Sequence, residues 1–154
     1  MKTVLTYGTF DIFHVGHLRL FRRLREIGDR LIVGVSTDEF NTVKGKRSLM
    51  PYAHRAEIVA GVKYVDLVIP ESSWDQKIDD VKNHAVAVFG IGDDWTGEFD
   101  FLKSYCEVVY LPRTHNVSSS SLKRLSLALD QTILERLAEA QAVLSDLLGQ
   151  FKDD

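Results

Sequence analysis

The sequence predicts an α/β protein with a Rossmann-like, open, parallel, five-stranded sheet, helices on both faces of the sheet and a helical carboxyl-terminal extension. Five short apolar runs rich in β-branched residues recur along the first 112 of 154 residues, and helical patterns separate them. These runs are apolar at consecutive positions, as is typical of strands that a parallel sheet buries on both faces. After Ser118 leucines recur every three or four residues, which predicts helix.

The five strands are expected, in chain order, at residues 3–7, 30–36, 64–70, 86–92 and 107–112. A first helix is expected to begin near Gly16 or His17, directly after the first strand and its turn. Gly28 lies where this helix should stop, because glycine is common just after the last helical residue. One face of the helix is apolar through Leu20, Phe21, Leu24 and Ile27.

The carboxyl-terminal region differs from the rest of the chain. We predict a domain over residues 1–123 and a helical extension over residues 124–154. A helix packed on the sheet and a seam between two copies of the chain would both bury its apolar residues, and we favour the seam, which predicts a homodimer. The apolar positions are Leu122, Leu125, Leu129, Ile133, Leu137, Ala140, Leu144 and Leu147.

Composition and charge narrow the classes of function. The formal net charge of −3 gives no positive field that would hold nucleic acid or an anionic membrane, so we expect neither as a partner. The one cysteine, Cys106, cannot form an internal disulfide, which fits a reducing compartment. The amino-terminal stretch MKTVLTYGTF has no long apolar run, which predicts neither a signal peptide nor a membrane span. We expect a cytoplasmic protein.

The stretch GTFDIFHVGH, at the first strand-to-helix junction, indicates phosphate binding. Unpaired N–H groups and the helix dipole attract anions to a helix start, and ligands of open parallel sheets lie beyond the strand ends. Gly8 and Gly16 would let a ligand approach the backbone, and His14 and His17 would donate hydrogen bonds. Zinc is disfavoured, since helical zinc ligands usually stand four apart with a glutamate between them.

This stretch resembles the H-x-G-H signature of the nucleotidyltransferase superfamily, which includes cytidylyltransferases and adenylyltransferases. Several further motifs resemble the glycerol-3-phosphate cytidylyltransferases, and the resemblance runs from Lys2 to about Lys123. These motifs are STDEFN, KGK, PYAHR, YVDLVIPE, WDQK, GDDWTGEFDFLK and CEVVYLPRT. The resemblance implies transfer of the cytidylyl group of CTP to sn-glycerol 3-phosphate by direct in-line attack, with Mg²⁺ accompanying CTP. The products would be CDP-glycerol, for glycerol-phosphate polymers of walls or capsules, and pyrophosphate.

The resemblance also implies roles for individual residues. The implied catalytic set is His14, His17, Lys46 and Arg113. Further contacts to the nucleotide are implied for Gly8, Thr9, Phe10, Gly16, Gly92, Asp94, Thr114, Val117, Ser118, Ser119 and Ser120. Contacts to the acceptor are implied for Lys44, Arg55, Trp74 and Lys77.

Alternatives stay open for several of these positions. Asp94 could accept from a ribose hydroxyl or help to anchor Mg²⁺. Arg55 could contact the acceptor phosphate or form a surface salt bridge, and Trp74 could wall the acceptor pocket or pack in the core. We expect Asp11 to fix the turn or its neighbouring histidine. Asn116 stands where the family has glycine, and asparagine tolerates a positive φ better than most residues.

Two other functions compete with this interpretation. One is an H-x-G-H adenylyltransferase acting on another phosphate, such as FMN or a sugar phosphate, which the KGK, WDQK and GDDWTGEFDFL motifs disfavour. The other is a non-catalytic nucleotide sensor or assembly subunit. The complete set of His14, His17, Lys46 and Arg113 argues against that function, whereas the unusual carboxyl-terminal region leaves it open.

Overall fold

In the computed structural model of this chain, residues 1–115 and 118–150 are described, and they form five strands, five α-helices and two 3-10 segments. The strands are β1 (Thr3–Gly8), β2 (Arg30–Ser36), β3 (Leu67–Glu71), β4 (Val86–Gly92) and β5 (Glu107–Leu111). The helices are α1 (Val15–Ile27), α2 (Asp38–Val43), α3 (Tyr52–Ala60), α4 (Gln76–Asn83) and α5 (Ser119–Gln150). The 3-10 segments are Asp93–Trp95 and Asp100–Ser104.

The strands form one parallel sheet in the order β3-β2-β1-β4-β5, which confirms the predicted fold class. Chain order reverses at β1, so the carboxyl ends of β1 and β4 flank the crevice where open α/β sheets bind ligands. The third strand begins three residues later than the run predicted, because Val62–Val65 forms a turn in which the Val65 N–H donates to the Val62 carbonyl at 2.9 Å.

Both faces of the sheet are buried, as consecutive apolar positions predicted. On one face Val4 and Val33 pack with Phe21 and Leu24 of α1. On the other face Leu5 and Phe89 pack with residues of α4 and of the second 3-10 segment. Neighbouring residues of β1 therefore enter opposite cores, which requires apolar side chains at successive positions.

The first helix begins at Val15, within two residues of the predicted start, and ends before Gly28. The reason for glycine at position 28 differs from the one expected. Its φ of −151° is extended backbone rather than a left-handed cap. A Cβ there would lie 2.5 Å from the Lys2 carbonyl oxygen, so the position needs glycine because the amino-terminal segment passes against it.

Two compact units make up the chain, Met1–Ser119 and Ser120–Asp154. The second consists, as far as it is described, of α5 without its first residue, and the boundary expected between residues 123 and 124 stays a prediction. Large apolar side chains of α5 are exposed at Leu125, Leu127, Ile133, Leu134, Leu137, Val143 and Leu144. Among the helices of the described residues, none has both the length and the apolar character needed to cross a bilayer.

Candidate active site

The turn between β1 and α1 has a strained backbone. Phe10 and Ile12 have φ of 51° and 46°, a region that β-branched residues such as isoleucine rarely adopt. Such conformations cost on the order of 1–3 kcal/mol each and persist only where the surroundings enforce them. This strain could not be predicted from the residue types, since neither residue is glycine or asparagine.

Gly8 leaves room for the ring of Phe10. We expected it to let a ligand approach, but the buried Phe10 ring fills the space beside it. A Cβ at Gly8 would lie 2.7 Å from that ring. Thr9 is held from two sides, because its hydroxyl donates to Asn41 at 2.9 Å and its carbonyl accepts from Arg55 at 2.7 Å. A contact from Gly8, Thr9 or Phe10 to the nucleotide stays a prediction.

His14 and His17 lie together at the start of α1. His14 caps the helix, and its Nδ1 accepts from the Gly16 N–H at 3.0 Å. The His17 Nδ1 accepts from the His14 N–H at 3.4 Å. The two rings stack with their centroids 3.8 Å apart. An Nδ1 that accepts a hydrogen bond carries no proton, so each neutral ring holds its proton on Nε2 as a donor.

Both imidazoles are neutral at physiological pH. Burial lowers the pKa of His17 to about 3, with a further lowering by His14 and an opposing effect of Asp11. Burial, and then the positive charge of Arg113, lowers the pKa of His14. The pair can therefore donate to phosphate oxygens without carrying charge, which fits the predicted role of these residues.

Arg55 forms the salt bridge that was one of its two interpretations, with Asp38, but its guanidinium is completely buried rather than at the surface. Four of its five N–H groups donate to protein acceptors. These are the carbonyls of Thr9 and Ser36, each at 2.7 Å, the carbonyl of Met50 at 2.9 Å and the carboxylate of Asp38 at 2.7 Å. An acceptor phosphate would compete with these partners, so the structure favours a bracing role over the predicted substrate contact.

Asp11 joins three segments at the turn. Its buried carboxylate accepts from the N–H groups of Leu49 at 2.7 Å and Met50 at 3.0 Å. Its carbonyl accepts from the Ser119 hydroxyl at 2.5 Å. Asp11 thus fixes the loop that follows the KGK motif against the histidine turn, whereas the sequence suggested only the turn or a histidine.

A buried ionic cluster lies at the carboxyl ends of β2 and β3. Lys77 donates to Glu71 at 2.7 Å, and Lys44 donates to Ser36 at 2.7 Å and to the other oxygen of Glu71 at 3.4 Å. The exposed fractions of the Lys44, Lys77 and Glu71 side chains are 8%, 1% and 3%. Two ammonium groups thus share one carboxylate. The predicted acceptor lysines do come together, but sequence reasoning missed Glu71.

Aromatic rings separate this cluster from an open cleft. The Lys77 ammonium lies 4.6 Å from the Tyr7 ring centroid and 4.7 Å from that of Trp74. Trp74 is 44% exposed and packs edge-on against Phe40. It therefore covers both lysines, and its predicted role as a wall of the acceptor pocket stays a prediction. The cleft, of about 570 Å³, is lined by Trp74, Asp75, Ile78, Trp95, Glu98, Phe99 and Phe101.

Four more predicted nucleotide residues lie at or after the ends of helices and strands: Lys46 and Arg113 on loops, Gly92 at the end of β4 and Asp94 in the first 3-10 segment. Lys46 is exposed, with its ammonium 5.4 Å from the Trp95 ring centroid. Arg113 follows β5, and its guanidinium lies 3.6 Å from the Asp94 carboxylate. A Cβ at Gly92 would lie 2.6 Å from that carboxylate, so the glycine first of all makes room for Asp94.

The other residues predicted to contact the nucleotide lie near the end of the first compact unit, Met1–Ser119, or after it. Thr114 and Ser118 are half-buried, and Ser119 begins α5. Ser120 belongs to the second unit. Asn116 and Val117 lie outside the described residues, so their predicted roles stay predictions. In the described part of the chain, no three His, Cys, Asp or Glu side chains are grouped so that they could hold a metal ion.

Comparisons with known proteins show the family of this chain. A Cytidylyltransferase-like family model matches residues 5–125. The glycerol-3-phosphate cytidylyltransferase of Bacillus spizizenii is 55% identical over 124 residues, which are 80% of this chain and 96% of that protein. The enzyme of the same name from Staphylococcus aureus is also 55% identical over 124 residues, 80% of this chain and 94% of that protein.

Two less similar proteins also match this chain. An FAD synthase of Pyrococcus horikoshii is 30% identical over 137 residues, covering 88% of this chain and 92% of that protein. The crystal structure of the lipopolysaccharide core biosynthesis protein from Thermoplasma volcanium superposes with a TM-score of 0.67 at 23% identity. It covers 74% of this chain and 98% of that one, which shows a shared fold. On the family model and the 55% identical relatives, this chain belongs to the cytidylyltransferase-like family.

Proposed function

We propose that this chain transfers the cytidylyl group of CTP to sn-glycerol 3-phosphate, giving CDP-glycerol and pyrophosphate. The observation that carries the proposal is a pair of neutral imidazole donors at a helix start, in a fold that also gathers two buried lysines at the neighbouring strand ends. The choice of substrates is supported by the 55% identical relatives, which are glycerol-3-phosphate cytidylyltransferases.

The reaction needs positioning and charge stabilisation more than proton transfer. A phosphate monoester has a second pKa of about 6, so the acceptor oxygen is already largely ionised at pH 7. That oxygen attacks the α-phosphorus in line and forms a new P–O bond. The bond from the α-phosphorus to the bridging oxygen breaks, and pyrophosphate leaves with the electron pair. The reaction requires neither a general base nor a covalent enzyme intermediate.

The histidines suit the transition state of this step. Their Nε2–H groups donate to the α-phosphate and to the bridging or β oxygens, where negative charge increases as the bond breaks. Because both rings are neutral, they need no counter-ion before substrate arrives. The accompanying positive charges come from Lys46 and Arg113, whose planar fork can hold a phosphate in two hydrogen bonds.

The acceptor is bound by the lysine cluster at the carboxyl ends of β2 and β3 rather than by the histidines. Lys44 and Lys77 supply the charge that attracts its phosphate, and Trp74 covers the pocket. Arg55 and Asp11 act as braces, because they hold the histidine turn and the KGK loop in one arrangement. Such fixation matters because small misplacements of reacting groups cost large factors in rate.

Magnesium accompanies CTP in this proposal. Mg²⁺ is usually held by phosphate oxygens with one or two carboxylates and several waters. The Asp94 carboxylate, 3.6 Å from the Arg113 guanidinium, would supply one carboxylate ligand. The alternative partner of Asp94 is a ribose hydroxyl of CTP. When bound, the ion would neutralise charge on the triphosphate.

The test is pyrophosphate release by the purified protein with Mg²⁺. CTP, ATP, GTP and UTP are each combined with glycerol 3-phosphate, FMN, a sugar phosphate and phosphoethanolamine. The proposal predicts release only with CTP and glycerol 3-phosphate. Release with ATP and FMN would instead match the 30% identical FAD synthase. CTP binding without release from any pair would indicate a nucleotide sensor.

We also propose a cytoplasmic homodimer in which α5 forms the seam. The exposed apolar side chains of α5 support self-association, since burying such surface is favourable. The single cysteine supports a reducing compartment. Deleting residues 124–154 tests the seam by the molecular mass in solution. The proposal expects a dimeric full chain and a monomeric shortened chain, and an unchanged dimer after deletion would contradict it.

A further inference from the structure

Glu71 lies at the centre of the buried ionic cluster, yet the reaction as described gives it no role. It ends β3 and pairs in register with Ser36, the last residue of β2. One carboxylate oxygen accepts from Lys77 at 2.7 Å. The other accepts from the Ser36 hydroxyl at 2.5 Å and from Lys44 at 3.4 Å. A single buried carboxylate thus organises both lysines.

The two lysines are held differently. The Lys77 ammonium has the short contact to Glu71 and lies near four rings, with centroids 4.6 to 5.9 Å away at Tyr7, Trp74, Phe40 and Phe99. The Lys44 ammonium has the longer contact to Glu71, and its stem leaves the end of α2 on the KGK loop. Lys44 also donates to the Ser36 hydroxyl at 2.7 Å and lies 4.6 Å from the Phe40 ring centroid. Its short bond is therefore to a neutral hydroxyl, whereas Lys77 has a short bond to the carboxylate, so an incoming phosphate competes more readily for Lys44.

The cluster carries an excess of positive charge. Two ammonium groups and one carboxylate give +1 in a site from which water is largely excluded. Burying unpaired charge is costly, so such a site is stabilised by an incoming anion. The anion that the proposed reaction brings here is the phosphate of the acceptor.

We propose that Glu71 is a positioning residue for the acceptor phosphate. It keeps Lys77 in place throughout, keeps Lys44 charged while the pocket is empty, and releases Lys44 to the phosphate when the acceptor binds. This inference rests on the proposed function, because the phosphate is that of glycerol 3-phosphate.

The pH behaviour of Lys44 gives a readout that a purely structural role would not change. Burial lowers the pKa of Lys44, Glu71 opposes this lowering, and Lys46 and Lys77 add to it. Removing the Glu71 charge leaves only the lowering effects among these neighbours. Lys44 then loses its proton at a lower pH than in the unaltered protein, and the neutral amine no longer attracts phosphate.

The experiment compares Glu71→Gln with the unaltered protein in two measurements. The first follows the Lys44 Cε resonance by NMR against pH without substrates, with Lys44→Arg used for assignment. The second is steady-state kinetics. In the NMR titration we expect a lower midpoint for Lys44 in Glu71→Gln. In the kinetics we expect the alkaline limb of kcat/KM to shift to lower pH. We also expect the KM for glycerol 3-phosphate to rise about 10- to 100-fold, which is the range for loss of a charge-assisted hydrogen bond. The KM for CTP should stay within about twofold, because the partners of the Glu71 carboxylate are Ser36 and the two acceptor lysines, and none of these is assigned to the nucleotide.

Two variants serve as controls. Asp100→Asn removes a carboxylate that bonds Lys103 at 2.8 Å on the surface, and it should leave all these values unchanged. Glu71→Asp keeps the charge and should restore the Lys44 midpoint toward normal, even if Glu71→Gln lowers the melting temperature. An unchanged Lys44 midpoint and acceptor KM in Glu71→Gln would overturn the inference, as would an equal loss for both substrates. If the unaltered protein makes no CDP-glycerol, the proposed function fails, whereas the NMR titration still tests what Glu71 does to Lys44.

Discussion

The histidine half and the lysine half of the proposed site both bind phosphate groups, but one does so with neutral hydrogen-bond donors and the other with positive charge. On the histidine half, His14 and His17 are kept neutral by burial and offer hydrogen bonds. On the lysine half, Lys44 and Lys77 supply charge and are kept in place by a buried carboxylate. Neutral donors cost little to bury and suit charge that develops in the transition state, whereas ammonium groups suit an acceptor that arrives already charged. The difference predicts that substitutions in the histidine half and in the lysine half change different measured quantities.

The largest expected effect comes from the histidine half. His14→Ala or His17→Ala removes a donor aimed at developing charge, so kcat should fall about 10²- to 10³-fold, as for loss of an oxyanion donor. The KM values should change much less, because the donor acts mainly in the transition state. Steady-state kinetics measures both.

Arg22→Ala is the matched control on the same helix, since Arg22 lies on the exposed face and pairs with Glu26 at 3.9 Å. It should leave kcat unchanged. If the histidine variants raised KM and left kcat intact, the assignment of these residues to the transition state would be wrong.

The second effect contrasts the two lysines in stability. Lys77→Met leaves Glu71 with the Ser36 hydroxyl and, of its two lysine contacts, only the longer one to Lys44. The free energy of unfolding should therefore fall by about 3 kcal/mol, the low end for breaking a buried pair. Lys44→Met keeps the short Lys77–Glu71 bond and should cost clearly less. Urea unfolding followed by circular dichroism compares them, and equal losses would contradict the distinction between the lysine with the short bond to Glu71 and the lysine with the long one.

The smallest effect concerns the pH dependence of stability on the histidine half. The pKa of His17 is about 3 in the folded protein, against the ordinary 6.5. Between these values the unfolded chain binds a proton that the folded chain does not, so stability falls as pH falls through this window. His17→Gln should show a shallower decline between pH 6.5 and 4.5 in urea unfolding. An identical decline in both proteins would mean that His17 is not kept neutral.

Sequence patterns predicted those parts of the molecule that depend on local order. Consecutive apolar residues indicated buried strands, and the position of His14 and His17 at a strand-to-helix junction with glycines indicated that both face a phosphate site. Arg55 could not be placed in this way, because its acceptors come from separate segments that only the folded chain brings together. The positive φ of Ile12 was equally hidden, since strain of this kind is imposed by tertiary contacts.

The environment of Glu71 could be predicted from the sequence only in part. An acidic residue directly after the apolar run LVIP, at the end of a predicted buried strand, was a signal in the sequence. A charge in that position needs a partner, and Lys77 lies six residues later. What the sequence could not show is that Lys44 would reach the same carboxylate from a different loop.

The most direct test of the central claim is to quantify CDP-glycerol and pyrophosphate together in one reaction with CTP, glycerol 3-phosphate and Mg²⁺. The proposed in-line transfer predicts equal amounts of the two products, with both lost together in His14→Ala and His17→Ala. Pyrophosphate without CDP-glycerol would mean that water rather than the acceptor attacks. Absence of both products would contradict the assigned reaction itself.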